Sequence, residues 1–191
     1  MTALTIMLIR HGEKPDTPEL GPGLTAQGNK DDRSLVIRGW QRAGAWAALF
    51  GSGLEPAYPR PEVVYAAGPN KDPEGNETIS KRPWETIVPL CQRLALKPVT
   101  KYGVGDEADL VTEVKQLTGV VLVSWEHKKI VEAVLPGLAA GQRLPDLPIK
   151  WNGDRFDVVL RFDQPERGAP WRFRQLFPKL LGGDSDVPLK V

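Results

Sequence analysis

The chain has 191 residues, 41% of them hydrophobic, a length and apolar content suited to one domain with a single sizeable core. Lysine and arginine number 25 against 24 acidic residues, so the net charge of +1 offers no global attraction to nucleic acid or to an anionic membrane, and any anion must be bound by a local arrangement. The single cysteine, Cys91, excludes an intrachain disulfide; no stretch reaches the roughly 20 apolar residues of a membrane span, and the short apolar start lacks a basic leader, so a reducing cytoplasm is the expected location.

The apolar run Leu4 to Ile9 (LTIMLI), rich in branched residues, predicts a buried strand that ends abruptly at Arg10. Residues 16–33 are polar, contain Gly and Pro and keep no period, which predicts a long loop lying over a site. Ala43, Trp46, Ala47 and Phe50 recur at helical spacing, predicting a helix over 37–50 with Ser34 as a candidate cap and Gly51-Ser52-Gly53 as its stop. Glu62 to Ala66 reads as a second strand, Gly68 to Thr78 as a polar loop, and Arg82 to Leu96 as a helix with Pro83 in its first turn. Next come a third strand at Lys97 to Tyr102, a helix at Ala108 to Gln116, a strongly apolar fourth strand at Gly119 to Ser124, and a helix at Lys128 to Leu135. Phe156 to Phe162 and Arg172 to Leu176 predict two strands paired at a sheet edge, and the segment from Trp151 to Asp163 carries no chemical signature of its own. Strands alternating with helices imply an α/β layered fold, and with no repeat and no linker, residues 1–191 form one domain.

The chain holds two histidines, and both follow predicted buried strands: His11 after TIMLI and His127 after VVLVS. In an open parallel sheet the C-terminal strand ends converge on the ligand crevice, so the two imidazoles can meet there. Arg10 directly precedes His11, Gly12 permits close backbone approach, and Arg82 opens the segment Arg82-Pro83-Trp84-Glu85-Thr86 beyond another strand and loop. Two guanidiniums and two imidazoles make an oxyanion cage. Phosphoryl transfer needs in-line attack, neutralisation of the equatorial oxygens and a proton for the leaving group. A neutral imidazole supplies the nucleophile, and the arginine fork binds phosphate bidentately while staying charged.

The segment LIRHGEKP resembles the Arg-His-Gly signature of the histidine phosphatase (phosphoglycerate-mutase-like) superfamily, and SLVIRGWQRAGAWAALF is similar to the helix that follows it. SKRPWETIVPL resembles the segment that supplies the second arginine, with Arg82 and Thr86 at that family's spacing, and VVLVSWEHKKI resembles the strand that delivers the second histidine. These blocks lie in the family's order over about residues 5–135. The resemblance implies a three-layer α/β/α sandwich with a mostly parallel central sheet, catalytic roles for Arg10, His11, Arg82 and His127, no metal and no organic cofactor.

Glu13, Glu107 and Glu126 compete to protonate the leaving group. Glu107, after the Gly-rich stretch 102–106, stands where related enzymes commonly place that acid and is the first choice, although it is also an ordinary acidic helix start. Glu126 should face away from the cage, as neighbours on an extended segment do, and Glu13 could touch the substrate or pair with Lys14 or Arg38. Gly12, Glu13, Trp84 and Trp125 are candidate substrate contacts, the two tryptophans as aromatic platforms. Substrate selection is expected in the loop Gly68 to Ser80, where Lys71, with Lys81, Lys30 and Arg33, offers charge for a second anionic group. The expected activity is that of a phosphatase of the histidine acid phosphatase type, hydrolysing a small phosphomonoester through phosphohistidine on His11. A phosphoglycerate-mutase-type phosphotransferase, a phosphohistidine or phosphoprotein phosphatase, and a non-catalytic anion-binding domain are the alternatives. Neither the natural substrate nor the oligomeric state has a recognisable code in the sequence.

Overall fold

The computed structural model describes residues 3–68 and 80–191. Strand β1 (Leu4–Arg10) lies in the middle of a sheet whose order is β2-β3-β1-β4-β5, with β2 at Val63–Ala66, β3 at Gly119–Trp125, β4 at Val159–Gln164 and β5 at Arg172–Leu176. The β2–β3 and β3–β1 pairings are parallel and the β1–β4 and β4–β5 pairings antiparallel. The sheet is therefore mixed, and the parallel character expected of it belongs to its β2-β3-β1 half. The reversal matters for the site. Ile9 at the end of β1 pairs with Val159 at the start of β4, so the segment preceding β4 is carried to the C-terminal edge of β1.

Period-2 alternation in β1 divides the core. Met7 and Ile9 face one cluster with Trp46 and Phe50 of α1 (Ile37–Ser52) and Ile87 and Leu90 of α2 (Arg82–Leu94). Ile6 and Leu8 face another with Leu110 of α3 (Glu107–Val114), Ile130, Val134 and Leu138. Helices thus cover both faces, giving the three α/β/α layers. The last helical stretch runs as α4 (His127–Lys129), a π-helical turn (Ile130–Val134) and α5 (Leu135–Ala139). Among the described residues no helix is long and apolar enough to cross a membrane.

Three expectations are corrected. The strand expected at Lys97 to Tyr102 shrinks to one parallel bridge between Val99 and Tyr65, because Pro98 has no N–H to give a ladder. Ser34 does not cap α1; Val36 precedes the helix without a side-chain cap, and the Ser34 hydroxyl turns instead to Glu85. The strand expected from Phe156 begins at Val159, since the residues before it serve the site described below. The loop expected to select substrate lies, from 69 to 79, outside the described residues, and with it Lys71.

Candidate active site

β1 carries Arg10 and His11 to the C-terminal edge of the sheet, where the His11 N–H donates to the Trp125 carbonyl at 3.2 Å and so extends the β1–β3 ladder past the strand. Nδ1 of His11 lies 2.7 Å from the Gly12 carbonyl. A carbonyl can only accept, which puts the proton on Nδ1 and leaves the Nε2 lone pair free. Burial, then the charges of Arg10, Arg82 and His127, hold the His11 pKa at about 3, against a weaker upward pull from the Gly12 bond. The structure thus gathers both arginines and the second histidine around a neutral imidazole.

Arg10 is fully buried. Its Nη1 donates to the carbonyls of Asn152, Gly153 and Arg155 at 3.3, 2.8 and 2.9 Å, and its guanidinium carbon sits 3.8 Å from the centre of the Phe156 ring. Nε has no partner among the described residues. Burial lowers its pKa to about 10, opposed by Glu126, Asp16, Glu13 and Asp154, so the group stays cationic. Arg82 opens α2 and donates through Nη2 to Asp32 O at 2.7 Å and through Nε to Ser34 O at 3.4 Å; burial lowers its pKa too. One turn on, Thr86 Oγ1 donates to Arg82 O at 2.7 Å and accepts from Gly12 N at 2.8 Å. Glu85 accepts from Ser34 Oγ (2.7 Å) and Leu35 N (2.8 Å), so the first turn of α2 also fastens the chain leading into α1.

Two glycines set the spacing. A Cβ on Gly12 would come within 2.9 Å of Gly39 O, and one on Gly39 within 2.5 Å of Glu13 O, so the 11–13 segment rests directly on the first turn of α1. The Gly12 N–H, a candidate substrate donor, is already given to Thr86.

The competing acids separate by their partners. Glu13 is buried and is held by Arg42, with Nε at 3.0 and 3.1 Å and Nη2 at 2.8 Å, and by Arg38 at 3.3 Å; Lys14 pairs with Asp16 instead. Arg42 bridges on to Asp184 at 2.8 Å. Glu126 turns back along its own helix, where Oε2 accepts from Lys129 N at 2.8 Å. Its Oε1 lies 2.8 Å from His127 Nδ1, outside hydrogen-bond geometry. Burial pushes the Glu126 carboxyl up, but His127 and the N–H groups of Lys129 and Lys128 outweigh it and hold the pKa at about 2. Such a group has no proton to give at neutral pH. Glu107 is buried at the start of α3, with Oε1 accepting from Trp125 Nε1 at 2.9 Å and both oxygens 3.1 Å from Gly105 N.

Trp84 is 40% exposed, whereas Trp125 is 0% exposed and serves as the wall behind Glu107, with no face open to a substrate. Lys81 pairs with Asp31 at 2.8 Å, and Lys30 is exposed. Sequence reasoning missed the Asn152–Arg155 carbonyls, Phe156, Arg42 and Asp184. Two signals were present: the Asn152-Gly153-Asp154 turn, and Arg42 on the buried stripe of α1 between Gly39 and Trp46, a place where an arginine requires buried partners.

No family model matches the chain, and no curated protein matches it by sequence. Among solved structures it superposes on the protein histidine phosphatase SixA complexed with tungstate, with a TM-score of 0.53 at 16% identity, covering 91% of this chain and 97% of that one. It also superposes on a mycobacterial glucosyl-3-phosphoglycerate phosphatase (TM-score 0.52, 16% identity, 92% and 98% covered) and on a phosphoglycerate mutase from Bacillus anthracis (0.51, 11%, 92% and 93%). The chain has the fold that these phosphatases and this mutase share.

Proposed function

We propose that this chain, which has the histidine phosphatase fold, is a member of that superfamily and hydrolyses a small phosphomonoester through phosphohistidine on His11. The observation that carries this reading is the neutral His11, its Nδ1 proton given to Gly12 O and its Nε2 free, set among Arg10, Arg82 and His127. Nε2 attacks phosphorus, the N–P bond forms, and the ester P–O bond breaks. Arg10, Arg82 and His127 neutralise the charge spread over the phosphoryl oxygens. Glu107 is the acid for the departing oxygen, because it has no cationic partner among the described residues, whereas Glu13 is tied between two arginines and Glu126 is engaged with His127 and the Lys129 N–H. Water then attacks phosphorus, the N–P bond breaks, inorganic phosphate leaves, and the imidazole regains its lone pair. The cytoplasmic location and the histidine acid phosphatase type of activity expected from the sequence belong to this reading.

Incubation with p-nitrophenyl phosphate tests it. The wild-type chain should release p-nitrophenolate and yield an acid-labile phosphoenzyme on quenching, and His11→Ala should lose both; a phosphoenzyme that survives in that variant would refute the nucleophile. A phosphoenzyme that persists until an acceptor ester is added would identify a mutase instead.

A further inference from the structure

Beside the cage lies a pocket of about 290 Å³ walled by the chain after His11, by the segment before β4 and by Gly183 and Asp184. It shares Gly153, Arg155 and Phe156 with the grip on Arg10, and the Phe156 ring centre is 6.1 Å from that of His11. It adjoins the cage through the Gly153 and Arg155 carbonyls that hold Arg10.

The charges of this pocket are arranged unusually for an anion-handling enzyme. Its cations are Lys14, Arg38, Arg42 and Arg155, and each is engaged within the protein. Lys14 pairs with Asp16; Arg42 spans Glu13 and Asp184; Arg38 reaches Glu13, Asp184 and the Gly182 carbonyl. Arg155 binds Asp157 at 2.7 Å and the carbonyls of Val187 and Ser185. Against these stand the carboxylates of Glu13, Asp16, Asp154, Asp157 and Asp184, and Asp154 makes no hydrogen bond or ion pair among the described residues. Asp154 and Asp16 both act on the Arg10 charge. The lining therefore offers acceptors and an aromatic wall, and its cations are already neutralised. A hydroxyl can donate to the open Asp154 carboxylate. A second carboxylate or phosphate would meet like charge.

Building on the phosphatase reading above, we propose that this pocket is the leaving-group subsite and that it selects phosphomonoesters of small, uncharged, hydroxylated skeletons against esters carrying a second anionic group. The Glu13–Arg42–Asp184 network is the specificity device: it spends its arginine charge inside the protein, leaving the phosphoryl oxygens as the anion that the site accepts.

The test pairs glycerol 3-phosphate with 3-phosphoglycerate, which differ by a hydroxymethyl group against a carboxylate. The wild-type chain should favour glycerol 3-phosphate by about tenfold or more in kcat/KM, and the His11→Ala chain should show the same order in calorimetric Kd, with no turnover required. Equal or reversed affinities would overturn the subsite, even with p-nitrophenyl phosphate turnover intact. Absent turnover and absent phosphohistidine, with the binding order preserved, would overturn the phosphatase reading and leave the subsite standing. In Asp184→Asn, which keeps the shape but leaves Arg38 and Arg42 with one carboxylate fewer, the preference should narrow by about tenfold. An unchanged ratio in a folded Asp184→Asn chain would show that the network does not set the selection.

Discussion

His11 is kept neutral by burial among cations, and that neutrality has a thermodynamic signature. Its folded pKa of about 3 lies below the unfolded value of 6.5, so the unfolded chain takes the proton first. Stability is fully present above about pH 6.5 and is lost as pH falls towards 3. Denaturant titrations of His11→Asn between pH 7 and pH 4 should therefore lose stability less steeply than the wild-type chain; identical slopes would mean that His11 is not buried as described. Glu107→Gln should slow alkyl phosphates by about 10²-fold or more while p-nitrophenyl phosphate, whose leaving group needs little protonation, slows much less. Equal losses would assign the proton to another group. At this scale Arg10, His11, Arg82 and His127 were legible because short motifs after strands fix where they stand. The duties of Glu13, Glu126 and Trp125 were not, because each depends on a partner distant in sequence or on a helix turn that the strand pattern hides.

Between elements, the active loop is held by contact between backbones. Gly39 has no room for a methyl group against Glu13 O at 2.5 Å, so Gly39→Ala must push the 11–13 segment off α1. Overpacking of this kind costs about 1–3 kcal/mol, which for a chain of this size lowers Tm by several degrees. Because the displaced segment carries the proposed nucleophile, kcat should fall by about 10²-fold. Wild-type kinetics in Gly39→Ala would show that the loop does not depend on this contact. α1 and β3 were readable because their apolar periods are long and unbroken, whereas the stretch 97–102 is extended but interrupted by Pro98. The direction of β4 left no trace in its own residues. It shows only in the antiparallel pairing with β1, and it explains why a segment without chemical signature supplies three carbonyls to Arg10.

In the whole molecule, two apolar clusters flank one sheet, and Arg10, Arg82 and His127 gather around His11 at the C-terminal edge of β1. The three layers were legible from the alternation of strands and helices; the C-terminal stretch that closes the pocket was not, since it has neither period nor motif. Asp157 is its main anchor, accepting from Ser185 N at 2.6 Å and from Arg155 at 2.7 Å. Asp157→Ala should raise amide hydrogen exchange across residues 184–187 by about tenfold or more while the β3 amides keep their protection. Uniform exchange over both would make the segment part of the global fold.

Because that wall is reached late in the chain, its residues leave the ribosome after the candidate catalytic groups. Arg10, His11, Arg82, Glu107 and His127 have all left the ribosome before Asp184 is made, and the carbonyl grip on Arg10 follows with residues 152–155. On the phosphatase reading, a chain cut short before Gly182 lacks the Asp184 counter-charge on Arg42 and should discriminate less between esters than the full-length protein.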